Sequence, residues 1–193
     1  METAPMSRQL PKGVIRPAKL AHFAATVRNF DSAVDWYQKV LGADIGFRND
    51  ALCFLSFDEE HHRVALLNVD QKDYPLPVKL EPGINHIAFT YHDLGELLAT
   101  YVRLKKEGIL PAWTTNHGPT TSFYYDGPGT RIELQVDNFA TLEELAEWFA
   151  SGAFAQNPIG VDFDADELVR LYEAGVPEAE LKRQGSAARK AAA

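Results

Sequence analysis

The stretch His22-Phe-Ala-Ala-Thr-Val27 returns later in the chain as His86-Ile-Ala-Phe-Thr-Tyr91. Each copy opens an apolar run of the kind that forms a buried strand. A helical pattern and then three more strand-like runs follow each copy. In the first copy the strand covers residues 20–27 and stops at Arg28-Asn29, after which Asp31 or Ser32 is placed to cap a helix. Ala33, Val34, Tyr37, Val40 and Leu41 recur at helical spacing, and Gly42 sits where a glycine ends such a helix. Strands are predicted over 44–47, 51–57 and 62–69, the last two joined by Asp58-Glu59-Glu60. The second copy has the same order: a strand over 85–91, a helix over 94–106 ending at Gly108, then strands over 112–115, 122–126 and 131–136. Gly127-Pro128-Gly129 turns the last pair, and a linker bearing Pro and Lys over 71–83 separates the copies. Two βαβββ modules, 18–70 and 84–137, each expose one apolar sheet face and must bury it by pairing or closing. The predicted class is therefore α+β, with one domain over 18–137 whose interior is lined by inward side chains from both modules.

The rest of the chain is a predicted appendage. Residues 1–17, with Pro5, Pro11, Pro17 and Gly13, read as a loosely ordered arm. Beyond residue 138 the pattern turns helical. Thr141 with Glu144 forms a capping box for a helix over 142–150. A second helix is predicted over 164–174, a short one starts at Pro177, and the end from Gly185 looks frayed. The stripes Leu142, Leu145, Trp148, Phe149 and Leu168, Leu171, Tyr172 need something to pack on. The domain's own flank together with a dimer contact is the expectation.

The 193 residues suffice for one domain with a real core. No apolar run approaches the roughly 20 residues of a membrane span. The N-terminus lacks a signal peptide, so a cytoplasmic protein is expected. A single cysteine, Cys53, excludes an internal disulfide and a Cys-rich metal site. The net charge of −8 argues against nucleic acid. A small molecule is the expected ligand.

Aligning the modules on their last strands pairs Arg63-Val-Ala65-Leu with Arg131-Ile-Glu133-Leu. Four equivalent positions are thus held by His22, Ala65, His86 and Glu133: three potential metal ligands and one vacancy. Each residue alone has an ordinary structural reading as a core histidine or a solvated glutamate. Together they do not, because a carboxylate among apolar neighbours is costly unless it is paired or ligated. Two histidines and one carboxylate leave adjacent positions on an iron open for substrate and oxygen.

Further phrases accompany these: Glu60-His61-His62-Arg63-Val-Ala-Leu66, Asn116-His117-Gly118, Ser122-Phe-Tyr124 and Arg131-Ile-Glu133-Leu-Gln135. With them, residues 18–137 resemble the vicinal oxygen chelate superfamily, the glyoxalase, bleomycin-resistance and dioxygenase fold. In detail they are most similar to type I extradiol ring-cleaving dioxygenases. Those enzymes carry four such modules and this chain two. The resemblance implies Fe(II), with Mn(II) an acceptable substitute, held by His22, His86 and Glu133. It implies an aromatic diol and O₂ as substrates, His62 as acid–base and Tyr124 holding a substrate oxygen. His117, in a loop at the cavity mouth, is a candidate substrate contact. His61 is expected to turn away by strand alternation, Tyr125 to face the other side of its strand, and His92 to do no more than cap a helix. A homo-oligomer is expected. The alternatives are a non-redox metal enzyme of the same superfamily (isomerase, lyase or thiol transferase) and a binding module without catalysis. Ala65 weighs against the four-ligand isomerases, and the metal triad weighs against the binding module.

Overall fold

The computed structural model describes residues 7–70, 82–127 and 131–188. Residues 71–81 of the predicted linker, Pro128 and Gly129 of the predicted turn, the first six residues of the arm and the last five of the predicted frayed end lie outside that range. The chain divides into two compact units. One holds residues 19–89 and 126–133, the other residues 1–18, 90–125 and 134–193.

In the first unit, β1 (Lys19–Val27) leads into α1 (Phe30–Leu41), then β2 (Asp44–Arg48), β3 (Leu52–Ser56) and β4 (Val64–Asn68), with β5 (Gly83–Thr90) opening the second module. The strand order is β2-β3-β4-β1-β5. The pairs β2–β3 and β3–β4 are antiparallel, and β1–β4 is parallel. Alternation divides each strand between two faces. Phe23, Ala25 and Val27 of β1, Cys53 and Leu55 of β3, and Val64 and Leu66 of β4 pack with Phe30 and Val34 of α1 in the core. Each large apolar side chain so buried contributes roughly 1.5–3 kcal/mol. The same alternation sends His22, Ala24 and Thr26 to the opposite face. Because Ala24 is paired with Ala65, and Ala65 with Phe54, those residues share His22's face. Helix α1 begins two to three residues earlier than a cap at Asp31 or Ser32 would place it. Its cap position is Asn29, in the left-handed region at φ 49°, and no side chain closes the cap. Asn tolerates that backbone better than Asp31 or Ser32 would, and Asp31 is instead drawn into an ion pair with Arg48.

The second unit contains α2 (Leu94–Lys106), β6 (Trp113–Asn116), β7 (Thr120–Asp126, through Tyr125) and the last residues of β8 (Arg131–Asp137). Asp93 caps α2 through the Glu96 N–H, and Glu96 accepts in return from the His92 N–H, so His92 contributes its backbone to the cap. The helical region follows: α3 (Leu142–Ala150), α4 (Ala153–Gln156), β9 (Val161–Asp162), α5 (Ala165–Glu173) and α6 (Glu178–Leu181). Thr141 accepts from the Glu144 N–H, the predicted capping box. Pro177 is the cap of α6 rather than its first residue. Strand β9 adds to β6, with Thr115 opposite Asp162 and Asn116 opposite Val161, and so covers that edge.

The helical region packs on the second module. Phe163 meets Phe123 edge-on at 5.3 Å, Trp148 lies against Gly118, and the Tyr172 hydroxyl occupies the space a side chain at Gly95 would need. Leu168, Leu181 and Phe154 are buried, whereas Leu142 is exposed. The end from Gly185 is not frayed through Ala188: Ala188 bridges Phe163, and the Asp164 N–H donates to Ala187 O at 2.8 Å. The arm is tied down at Arg8, whose N–H donates to Glu173 O at 3.1 Å and whose guanidinium lies 5.2 Å above the Tyr172 ring. Among the described residues no helix is long and apolar enough to cross a membrane.

Candidate metal centre

Strand β1 supplies His22, β5 supplies His86 and β8 supplies Glu133, all within the first unit. The His22 Nε2 and His86 Nε2 atoms lie 3.3 Å apart. Glu133 Oε2 is 3.3 Å from His22 Nε2 and 3.0 Å from His86 Nε2. Adjacent donors bonded at about 2.1 Å to an octahedral ion stand about 3.0 Å apart, close to these three spacings. The chemistry of the donors agrees. His86 Nδ1 donates to Asn85 Oδ1 at 2.9 Å, which leaves its Nε2 lone pair directed at the other two ligand atoms. A lone pair facing a carboxylate and a second imidazole is repulsive until a cation sits among them. The three residues therefore fit a divalent metal.

The electrostatics follow from burial. Glu133 is 2% exposed. Burial pushes its carboxyl up, but hydrogen bonds from His22 and His86 and their charges outweigh this and hold it well below the usual carboxylate range. Burial lowers His22, and Glu133 opposes that only in part. Ligation needs the carboxylate ionised and both Nε2 atoms free of protons, so a metal competes with protons for this site.

His62 lies beside the triad. Its ring centroid is 4.1 Å from that of His22, and it stacks on Phe54 at 4.2 Å with 8° between planes. Burial, then the charges of His22 and His61, hold it well below the ordinary histidine range. The expectation that His61 turns away is overturned. Residues 61–63 precede β4, so strand alternation does not govern them, and His61 Nδ1 lies 2.5 Å from His62 Nδ1. Arg63, which the sequence offered only as part of a phrase, is the clamp that sets this segment. Its Nη1 donates to Leu20 O and Ala21 O, both at 2.7 Å, and its Nε to Asp58 at 3.0 Å, tying the turn to the strand that carries His22. Buried Glu60 completes the clamp, 2.5 Å from Lys19 Nζ.

His117 and Tyr124 belong to the second unit, where they are joined: His117 Nε2 and the Tyr124 hydroxyl are 2.8 Å apart. Trp113, directly opposite Tyr124 in the ladder, stacks on it at 4.8 Å. The buried Tyr125 hydroxyl has no hydrogen-bond partner among the described residues, and burial raises it strongly.

The family described as Glyoxalase/Bleomycin resistance protein/Dioxygenase superfamily matches residues 19–134, and the chain belongs to that superfamily. Biphenyl-2,3-diol 1,2-dioxygenase 3 of Rhodococcus globerulus is 42% identical over 164 residues, covering 84% of this chain and 86% of that protein. Biphenyl-2,3-diol 1,2-dioxygenase 2 of the same organism is 41% identical over 166 residues, covering 82% and 84%. Among solved structures, a Mn(II)-bound glyoxalase from Novosphingobium aromaticivorans matches with TM-score 0.52 and 26% identity over 65% of this chain. A variant of homoprotocatechuate 2,3-dioxygenase from B. fuscum shares the fold at TM-score 0.51 and 16% identity over 70% of this chain. This chain spans only 41% of the first and 34% of the second of those solved chains.

Proposed function

We propose that this protein is an Fe(II)-dependent extradiol dioxygenase that opens a catechol-type ring beside its two hydroxyls, with residues 18–137 as the catalytic domain. One observation carries the reading: His22 Nε2, His86 Nε2 and Glu133 Oε2 converge within 3.3 Å of one another, in a chain 42% identical to a biphenyl-2,3-diol dioxygenase over most of both lengths. His22, His86 and Glu133 hold the metal, and Ala65 leaves the fourth equivalent position without a ligand. When bound, the iron supplies a redox-active Lewis acid at which diol and O₂ meet.

The remaining work falls to the chain's own side chains. His62 is buried and neutral near pH 7, so it accepts a hydroxyl proton from the diol and can return it later in the turnover. Phe54 stacks on His62 and Arg63 anchors the turn that carries it, which fixes the imidazole's direction. Tyr124 holds a substrate oxygen; His117, expected as a substrate contact, supports Tyr124 through the ring nitrogen 2.8 Å from its hydroxyl. The substrate class, an aromatic diol with O₂, implies a role in aromatic catabolism. The homo-oligomer and the cytoplasmic location expected from the sequence belong to the same proposal.

The test loads the full chain anaerobically with Fe(II), adds 2,3-dihydroxybiphenyl and admits air. A yellow ring-fission chromophore with equimolar oxygen consumption is expected. An iron-loaded protein that binds the diol yet consumes no oxygen overturns the reading, and loss of turnover when iron is replaced by Zn(II) separates redox from non-redox chemistry.

A further inference from the structure

The segment after α4 reaches back to the two residues the sequence singled out in the second unit. Ile159 O lies 2.6 Å from His117 Nδ1, and the opposite ring nitrogen of His117 lies 2.8 Å from the Tyr124 hydroxyl. Asp162, the last residue of β9 in the same segment, accepts from Trp113 Nε1 at 2.7 Å, and Trp113 is the ring stacked on Tyr124. The approach is built. Asn157 clasps Gly160 in both directions, Asn157 Nδ2 donating to Gly160 O at 2.8 Å and Gly160 N–H to Asn157 Oδ1 at 3.1 Å. Gly160 takes φ +104°, and a Cβ there would overlap Asn116 O and stand 2.9 Å from the His117 Cα. Only glycine lets this backbone lie so close.

We propose that the helical extension sets the direction of the hydrogen on the Tyr124 hydroxyl, by locking His117 in one tautomer through the Ile159 carbonyl. A carbonyl oxygen can only accept, so His117 carries its proton on Nδ1. In the neutral imidazole Nε2 is then an acceptor, and the 2.8 Å contact obliges Tyr124 to donate to it. The Tyr124 oxygen is thereby presented to the substrate as a hydrogen-bond acceptor, suited to a hydroxyl that still holds its proton. His117 and Ile159 are positioning groups acting through Tyr124. The catalytic meaning of this lock rests on the dioxygenase reading; the lock itself does not.

The test compares three variants of the full chain. Gly160→Ala pushes the segment off His117, and Asn157→Ala removes the clasp without adding bulk. Gly152→Ala is the control: it has a similar backbone strain at φ +77° but nothing within 4 Å of the added carbon. Imidazole ¹⁵N spectra of the Zn(II)-loaded chain report the His117 tautomer. Nδ1–H is expected in the unmodified and Gly152→Ala proteins, with loss of that single state in Gly160→Ala and Asn157→Ala. With Fe(II), the latter two should lose about tenfold in kcat/KM for a catechol, the scale of one hydrogen bond, at unchanged metal content. An Nε2–H tautomer in the unmodified protein, or a tautomer indifferent to both substitutions, overturns the proposal. A tautomer that responds as expected in a protein that cleaves no catechol upholds the lock and overturns the dioxygenase reading instead.

Discussion

His62 lies flat on Phe54, ring centroids 4.2 Å apart and planes 8° from parallel. Phe54 pairs with Ala65 in the ladder, and Ala65 is paired with Ala24 on the face that carries His22. One sheet face thus presents a metal ligand, the vacant fourth position and the platform for an acid–base. His62→Gln should keep the metal while slowing turnover roughly 10²–10⁴-fold, the usual contribution of general acid–base catalysis. Steady-state rates at matched iron content check this, and a rate within twofold of the unmodified protein would remove His62 from the mechanism. His61→Gln should now cost a measurable amount too, though less, because His61 Nδ1 touches His62 Nδ1 at 2.5 Å.

Metal retention should separate the ligands from the residue that orients one of them. His22→Ala, His86→Ala or Glu133→Ala should each abolish stoichiometric metal binding. Asn85→Ala leaves all three donors in place but removes the acceptor that holds His86 Nδ1 at 2.9 Å. Its metal affinity should fall about 10–100-fold, as is typical when the support of a ligating histidine is removed. Competition with a chelator measures both effects. An Asn85→Ala protein with undiminished affinity would show that strand geometry alone orients His86.

The duplication made much of this legible. Strand periodicity and the repeated phrase located eight strands, both long helices of the modules and the equivalence of His22 with His86. The errors lie where backbone geometry, not periodicity, decides. Asn29 caps α1 through a left-handed conformation with no side-chain bond to announce it. Strand alternation was carried one turn too far at His61, which sits before β4. The elements α4 and β9 span only Ala153–Gln156 and Val161–Asp162, too short to show a period. The close approach at Gly160 depends on a positive φ beside a distant strand, and a lone glycine in a sequence does not reveal that. Ala187 and Ala188 looked like an unstructured end because small residues carry little pattern, yet Ala187 is 3% exposed.

Ala65→Glu tests the vacant position. The register Ala24↔Ala65 puts the new carboxylate on His22's sheet face. It should bind the metal as a fourth protein ligand, raise metal retention against chelators, and suppress oxygen consumption by occupying a position that the substrates need. Undiminished ring cleavage with unchanged metal affinity would show that the two modules do not align as inferred.

The contact between α5 and α2 should respond weakly to acid. Lys105 lies 2.6 Å from Asp166 and Tyr101 donates to it at 2.8 Å, and these hydrogen bonds lower the Asp166 carboxyl below its ordinary value. A depressed carboxylate contributes stability that is present above its unfolded value, about 3.9, and lost as pH falls through the folded one. Solvent-exposed ion pairs of this kind are screened and contribute little. Asp166→Asn should therefore lower the melting temperature slightly at pH 7, and by less at about pH 2, below the ordinary carboxylate value. Equal losses at both values would show that the asparagine disturbs packing and not charge.

Truncation after Phe139 asks what the helical region does for the rest of the chain. It removes Leu145, Phe154, Phe163, Leu168 and Leu181, all buried, and uncovers Phe123, Gly95 and the β6 edge that β9 protects. A single Leu168→Ala should already destabilise by about 2–5 kcal/mol, the cost of a large-to-small change at a site that is 1% exposed. The whole truncation should cost more than that and expose an edge strand open to unwanted pairing. The expected outcome is a markedly lower melting temperature and a tendency to aggregate. His22, His86 and Glu133 all belong to the other compact unit, so what remains folded should still bind metal. Scanning calorimetry and sedimentation of the truncated chain measure stability and association together. An unchanged melting temperature, with no change in sedimentation, would mean that the packing described for residues 140–188 contributes nothing to the stability of the fold.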